Sequence, residues 1–226
     1  MTKSLYITIT LCLLLAPKLG LSSEVEFYGK VRDQKTNKAL EQSVLEIKLE
    51  DGLYKKIECG KNGRFDIDLE FNLRYDVYFI CKGYETKWIV LDLRRVPAED
   101  QEGGFKFPVE ISLFKKRKNF DNSCLEKPIG ILRYSSEKNV LDWDFNHTSR
   151  LAVELDKANL LADSLNLSKF EKLVKKGDLA AEKGKKKKAK KFYKKAGLLI
   201  PDSFIIDEKL DALIVKKPVR SGGVKV

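Results

Sequence analysis

Between Val25 and Phe114 apolar residues recur at every second position, and from Arg150 onward they recur at every third and fourth. The first period is that of strands with one buried face, the second that of amphipathic helices. Val25 to Val31 reads as a strand, ended by the turn Asp33-Gln34-Lys35-Thr36-Asn37. Val44, Ile47 and Leu49 belong to a second strand, Asp51-Gly52 to a hairpin turn, and Leu53 to Cys59 to the return strand. After a turn at Lys61-Asn62-Gly63, Phe65, Ile67 and Leu69 alternate with Asp66, Asp68 and Glu70, the mark of a half-buried strand. Tyr75 to Cys81 is the most apolar strand and belongs at the centre of a sheet. Lys82-Gly83-Tyr84 then turns the chain into Lys87 to Leu91, and an acidic loop from Glu99 to Gly104 precedes a last strand from Phe105 to Phe114. Seven short strands with regular turns and no helical period predict an antiparallel β-sandwich.

Residues 115–149 read as a connector, in which Ile129 to Tyr134 and Asn139 to Phe145 form a small hairpin around Ser135 to Lys138. Beyond it, Leu151, Leu155, Ala158 and Leu161-Ala162 predict a helix, and Asn166 or Ser168 caps a second one carrying Phe170, Leu173 and Val174. A further helix runs from Phe204 to Val215, and residues 216–226 form a loose basic tail. The expected architecture is α+β by segregation: a seven-stranded sandwich over residues 23–114, then a small all-α module over 150–215.

The first 22 residues read as an address. Lys3 precedes an apolar run from Leu5 to Ala16 that stops before Pro17. A helix of that length spans about 18 Å, short of the roughly 30 Å of a hydrocarbon core. A secretory signal peptide fits, with Gly20 and Ser22 just upstream of a cut before Ser23, so the mature chain is expected in the periplasm or at the cell envelope. Its cysteines are then Cys59, Cys81 and Cys124, an odd number, of which Cys59 and Cys81 are candidates to pair across neighbouring strands.

The formal charge is +11, and most of it is local: 13 lysines against Glu171, Asp178 and Glu182 lie between Lys169 and Lys195. Lys185, Lys186, Lys187, Lys188, Lys190 and Lys191 form the densest part; they read first as a solvated face that keeps the helix soluble, and otherwise as the candidate partner-binding residues, directed at anionic lipid or acidic polysaccharide. Export, the absence of arginine between Arg150 and Arg220 and the lack of a row of aromatic rings argue against nucleic acid. His147 is the sole imidazole, and no nucleophile elbow, phosphate loop, zinc-binding helix or dinucleotide fingerprint is present. The acid pairs Asp66/Asp68 and Asp142/Asp144 read as solvated strand faces. No catalytic residue, cofactor or metal site is therefore expected.

The segments GKVRDQKTNKALEQSVLEIK and GKNGRFDIDLEFNLRYDVYFICKGYETK resemble the carboxypeptidase regulatory-like domain, a transthyretin-like sandwich of exported bacterial proteins. Gly29, Val31, Val44, Asn62-Gly63, Phe65 and Lys82-Gly83-Tyr84 carry the resemblance, which covers about 90 residues. It implies the non-catalytic appendage only, since one histidine cannot supply the two that the zinc site of the enzymes requires. Leu173, Gly177, Ala180, Ala189, Tyr193, Ala196 and Pro201 are similarly spaced to one tetratricopeptide unit, which implies two antiparallel helices with Tyr193 in the groove between them. The order of parts resembles cell-envelope proteins of the Bacteroidetes type. The function expected is binding or scaffolding at the envelope, with a protein partner. The alternatives are an accessory subunit of an envelope enzyme or transporter, and a binder of anionic polymer or lipid through the lysine-rich hairpin.

Overall fold

The structure, a computed structural model, describes residues 24–201 and 203–214; the expected leader, Val215 and the basic tail lie outside the described residues. Among these, nine strands form two sheets. The smaller has the order β4 (Arg64–Glu70), β1 (Glu24–Asp33), β7 (Phe105–Leu113). The larger has the order β3 (Gly52–Glu58), β2 (Val44–Leu49), β5 (Arg74–Ile80), β6 (Lys87–Asp92), β8 (Gly130–Ser135), β9 (Val140–Trp143). A one-turn helix, α1 (Ala98–Gln101), precedes β7, and three helices follow the sheets: α2 (Phe145–Glu182), α3 (Lys186–Gly197) and α4 (Phe204–Ile214). The chain is thus a β-sandwich followed by a helical region, the α+β class expected.

Alternation decides the core. β4 buries Phe65, Ile67 and Leu69 and exposes the acids between them, and β5, third of six strands, buries Tyr75, Val77 and Phe79. These meet Phe27 and Val31 of β1, Leu45 and Ile47 of β2, and Ile89 and Leu91 of β6 in one apolar cluster between the sheets. Buried Tyr75 keeps its hydroxyl satisfied by donating to the Glu70 carbonyl and accepting from the Glu70 N–H, which closes the β4–β5 turn.

Three details depart from the expectation. β1 pairs with β7 and β6 with β8 in parallel, so the sheets are mixed rather than wholly antiparallel. The β6–β7 and β7–β8 connections each carry the chain across to the other layer, and a crossing of that kind returns it alongside its earlier neighbour in the same sense. The segment 115–149 is consequently no separate connector. Its hairpin forms as β8 and β9, turning at residues 136–139, and extends the larger sheet. Cys59 and Cys81 are free and buried. Cys59 follows β3 and donates its N–H to Ser43 ahead of β2, and Cys81 follows β5 on the other side of β2. Two strand spacings, about 9.5 Å, separate them, beyond what a disulfide bridges.

The turns that carried the resemblance meet at one carboxylate. Buried Asp33 accepts hydrogen bonds from the Lys35 and Thr36 N–H groups, from the Thr36 hydroxyl, and from the Tyr84 hydroxyl at 2.6 Å. Burial works to raise its pKa, but the bonds from Tyr84 and Thr36 and the nearby Lys115 charge outweigh it and hold the carboxyl below the usual aspartate value. Gly63 and Gly83 take φ of 65° and 86°, left-handed turn conformations that glycine adopts without steric cost.

Lys87 is the opposite case. It reaches into the sandwich, donates from Nζ to the Ser112 carbonyl at 2.6 Å, lies 5.1 Å over the Phe114 ring and finds no carboxylate partner among the described residues. Burial lowers its pKa from 10.5 to about 8.

The helical region differs from the reading in one place. No break occurs at Asn166 or Ser168; α2 is one helix of 38 residues, about 57 Å long. Asn166 does not cap a helix. It is 2% exposed, donates from Nδ2 to the carbonyls of Lys118 and Leu199, and accepts from Asn119 at Oδ1. Further toward its C-terminus α2 packs antiparallel on α3. A Cβ at Gly177 would fall 2.2 Å from Cε1 of Tyr193, so only glycine admits the ring, whose hydroxyl donates to Asp178 at 2.7 Å. Phe170, Ala180, Ala189, Ala196, Leu199 and Ile206 complete this second core.

Asn166→Leu is expected to lower stability by about 1–3 kcal/mol, since two carbonyls and the Asn119 amide lose their partner, as read by denaturant unfolding. Asp33→Asn should cost about 1–3 kcal/mol at neutral pH. Because the folded pKa of Asp33 is depressed, that difference from wild type holds above 3.8 and disappears as the pH falls through the folded value. For Lys87 the unfolded chain holds the proton between pH 8 and 10.5 while the folded chain has released it. Wild type should therefore gain about 3 kcal/mol on Lys87→Met across that window, and a flat difference would contradict a buried charged lysine.

Candidate functional site

β7 pairs with β1 along one side only, which leaves its other edge facing the end of the larger sheet. There the two layers part around a cleft of about 350 Å³. Its walls are Pro108 to Ile111 on β7, Ile89 and Gly130 on the paired β6 and β8, Trp143 at the end of β9, and Phe145 at the start of α2. Gly130 is required by the indole: a Cβ there would stand 2.9 Å from the Trp143 ring. Trp143 also meets Phe107 of the other sheet edge-on, with centroids 5.7 Å apart, and so joins the two layers beside the opening. Phe145 stands at the mouth, 68% exposed.

The helix start beside this cleft is fastened by the residues the sequence offers as chemistry. Asp144 caps α2, accepting from the His147 N–H at 3.0 Å, and pairs with Arg133. The His147 bond and then the Arg133 charge hold its carboxyl below the ordinary value. His147 Nε2 lies 2.6 Å from the Pro128 carbonyl, which only an Nε2–H satisfies, and so ties α2 to the residues entering β8. Asp142 is paired with Lys138. Burial, reinforced by nearby Cys81, pushes the Cys59 thiol up to about 11, and burial raises Cys124 as well, so neither is poised as a thiolate. Among the described residues no group of three His, Cys, Asp or Glu side chains is placed to hold a metal ion. What the cleft offers is apolar volume beside the edge of β7 that pairs with no described strand, interrupted at Pro108 and with the Ser112 carbonyl beyond it taken by Lys87. It suits an extended segment that lays its backbone along β7 and an apolar side chain against Trp143. A larger depression of about 550 Å³ crosses β4, β1 and β7 and is lined by Lys30, Arg64, Asp66 and Glu110 with Tyr28.

The six lysines singled out in sequence gather at the far end of α2. Lys185 is the residue before α3, the other five lie on it, and all are exposed. Lys186 donates to the Leu213 carbonyl at the end of α4, where a positive charge favours the helix terminus. The structure does not bring them near the cleft: Phe145 opens α2, whereas α3 packs on its last turns. Two features had no sequence signal in the reading. The cleft arises from the parallel β6–β8 pairing. Leu198 and Phe204, 71% and 75% exposed, flank the lysine helix at positions where an apolar residue reads as core. No described helix is long and apolar enough to cross a membrane.

No protein-family model matches the chain, and no curated protein matches it. Among solved structures it is similar over part of its length to 3-chlorocatechol 1,2-dioxygenase from Rhodococcus opacus, with 16% identity and a TM-score of 0.30 over 41% of this chain and 60% of that one. It is similar to the TIE protein of Bacillus anthracis, with 16% identity and a TM-score of 0.33 over 41% of this chain and 17% of that one. A third likeness is to the shaft pilin SpaA of Lactobacillus rhamnosus GG, with 12% identity and a TM-score of 0.32 over 41% of this chain and 48% of that one. The chain spans less than two thirds of each of these, and likenesses of this depth carry neither activity nor partner across.

Proposed function

We propose that this chain is a non-enzymatic binding or scaffolding component of the bacterial cell envelope, its sandwich a carboxypeptidase regulatory-like module and its α2–α3 hairpin a tetratricopeptide-like one. The apolar cleft along the free edge of β7 carries the reading, because it couples an edge that pairs with no described strand to a pocket walled by both sheets and α2. In support of the two modules stand the Asp33–Tyr84 bond between the resembling turns and the contact of Gly177 with Tyr193. The partner is a protein that presents an extended segment with an apolar anchor. Strand addition draws affinity from main-chain bonds and selectivity from the pocket, which suits a scaffold better than a reacting centre.

The test uses tagged protein beginning at Ser23 and detergent-solubilised envelope proteins, with washes at about 0.5 M salt to screen surface charge. One protein retained in fixed ratio is expected, bound at least about tenfold more weakly when Val109→Lys and Phe145→Ser are combined, and unchanged when Lys185 to Lys188 become glutamine. A partner indifferent to the cleft substitutions, or no salt-resistant partner at all, would overturn the reading.

A further inference from the structure

The lysine helix is locked in rotation. Ala189, Tyr193 and Ala196 face inward, and the Tyr193 hydroxyl and the Lys209 ammonium both donate to Asp178, so α3 cannot turn its other face to the core. At 100° per residue the line opposite that buried face runs Lys187, Lys191, Lys194 and ends on Leu198. From Lys183 to Lys195 nine lysines occur with no acid, and among the described residues none of the α3 lysines is ion-paired. Lys187 and Lys191, Lys190 and Lys194, and Lys191 and Lys195 are like charges one turn apart, an arrangement that weakens an isolated helix. The hairpin therefore holds a repelling cationic face outward.

The link from α3 to α4 adds the second element. Leu198, Phe204 and Ile205 are 71%, 75% and 49% exposed while their neighbours Leu199 and Ile206 are buried. Large apolar side chains set at the end of a lysine row match neither a soluble polyanion nor a dry protein pocket. Nucleic acid or acidic polysaccharide meets the charge and leaves the rings in water. A bilayer with anionic headgroups meets both, since lysine stems lie along apolar surface with the ammonium at headgroup level while short apolar wedges reach the acyl boundary.

We propose that the outer face of α3, together with Leu198 and Phe204, docks this protein peripherally on an anionic phospholipid surface. This stands independently of the cleft: vesicle binding should survive the Val109→Lys and Phe145→Ser substitutions.

The experiment is vesicle co-sedimentation of the chain from Ser23 onward, which contains every described residue. Vesicles with about a quarter phosphatidylglycerol in phosphatidylcholine are compared with phosphatidylcholine alone, and inorganic polyphosphate serves as the soluble polyanion. Binding is expected to the anionic vesicles only. Lys187, Lys191 and Lys194 to glutamine should weaken it by about a hundredfold. Leu198→Ser with Phe204→Ser should weaken vesicle binding by at least about tenfold yet leave polyphosphate retention unchanged. Phe204→Trp should shift its emission to the blue on anionic vesicles, and because these side chains are exposed all variants should melt as wild type does. Equal loss on vesicles and polyphosphate when Leu198 and Phe204 become serine, vesicle binding untouched by those apolar substitutions, or no binding to anionic vesicles would each overturn the proposal.

Discussion

A carboxamide enclosed in a protein has two N–H donors and an oxygen to place, and leaving them unmade in a low dielectric is expensive. Asn166 places them on two separate stretches of chain: the Lys118 carbonyl and the Asn119 amide on one, and the Leu199 carbonyl on the other. Lys118 and Asn119 belong to the strip that leaves β7 and crosses the outside of the larger sheet, where the Trp88 indole donates to the Leu125 carbonyl. Leu199 lies in the link between α3 and α4. One side chain thus ties α2 to the sandwich below it and to the helical pair beside it. The ion pairs along the same seam, Arg117–Asp163 and Lys127–Glu154, have at least one partner well exposed and rank beneath it.

That arrangement explains where reading the chain succeeded and where it stopped. Alternation of Phe65, Ile67 and Leu69 with acids is a local statement about one strand face, and it carries over unchanged into β4. The hairpin of β8 and β9 is likewise local, joined by four residues. The parallel pairings are not. β1 and β7 are joined across some eighty residues, and nothing within either strand marks its partner. Asn166 shows the same limit on a single residue, because an asparagine before Ser168 and Phe170 has the composition of a cap. Only the carbonyls supplied by distant segments satisfy its amide inside a helix, and those segments are invisible from the helix itself.

The candidate sites divide along the same line. Charge density survives any fold, so the exposed lysines were legible from their spacing alone. The cleft was not, since Trp143 and Phe145 read as the end of a small hairpin until β8 lies beside β6 and brings them opposite Pro108 and Val109. Lys87 was hidden for a related reason. Inside the run Lys87-Trp88-Ile89-Val90-Leu91 it looks like the polar end of a strand, whereas the Ser112 carbonyl from the facing sheet lets it stay within the core.

The two surfaces stand at opposite ends of α2, and the intervening helix matters to both. Some 32 residues separate Phe145 from Gly177, about 48 Å of helix. On the reading proposed here, a surface that attracts the lysine face holds α3 against it while the cleft stays well beyond the roughly 8–10 Å over which salt leaves such a field unscreened. A segment bound along β7 is then selected by its backbone and its apolar anchor, not by the surface charge. The uneven charge of the chain has a physical consequence on that reading: the positive end orients the molecule, and the remainder, close to neutral, is left free to discriminate. Asn166 couples these roles, because two of its three bonds fasten the helix that separates the two surfaces to the strip leaving β7 and the third fastens it to the link between α3 and α4.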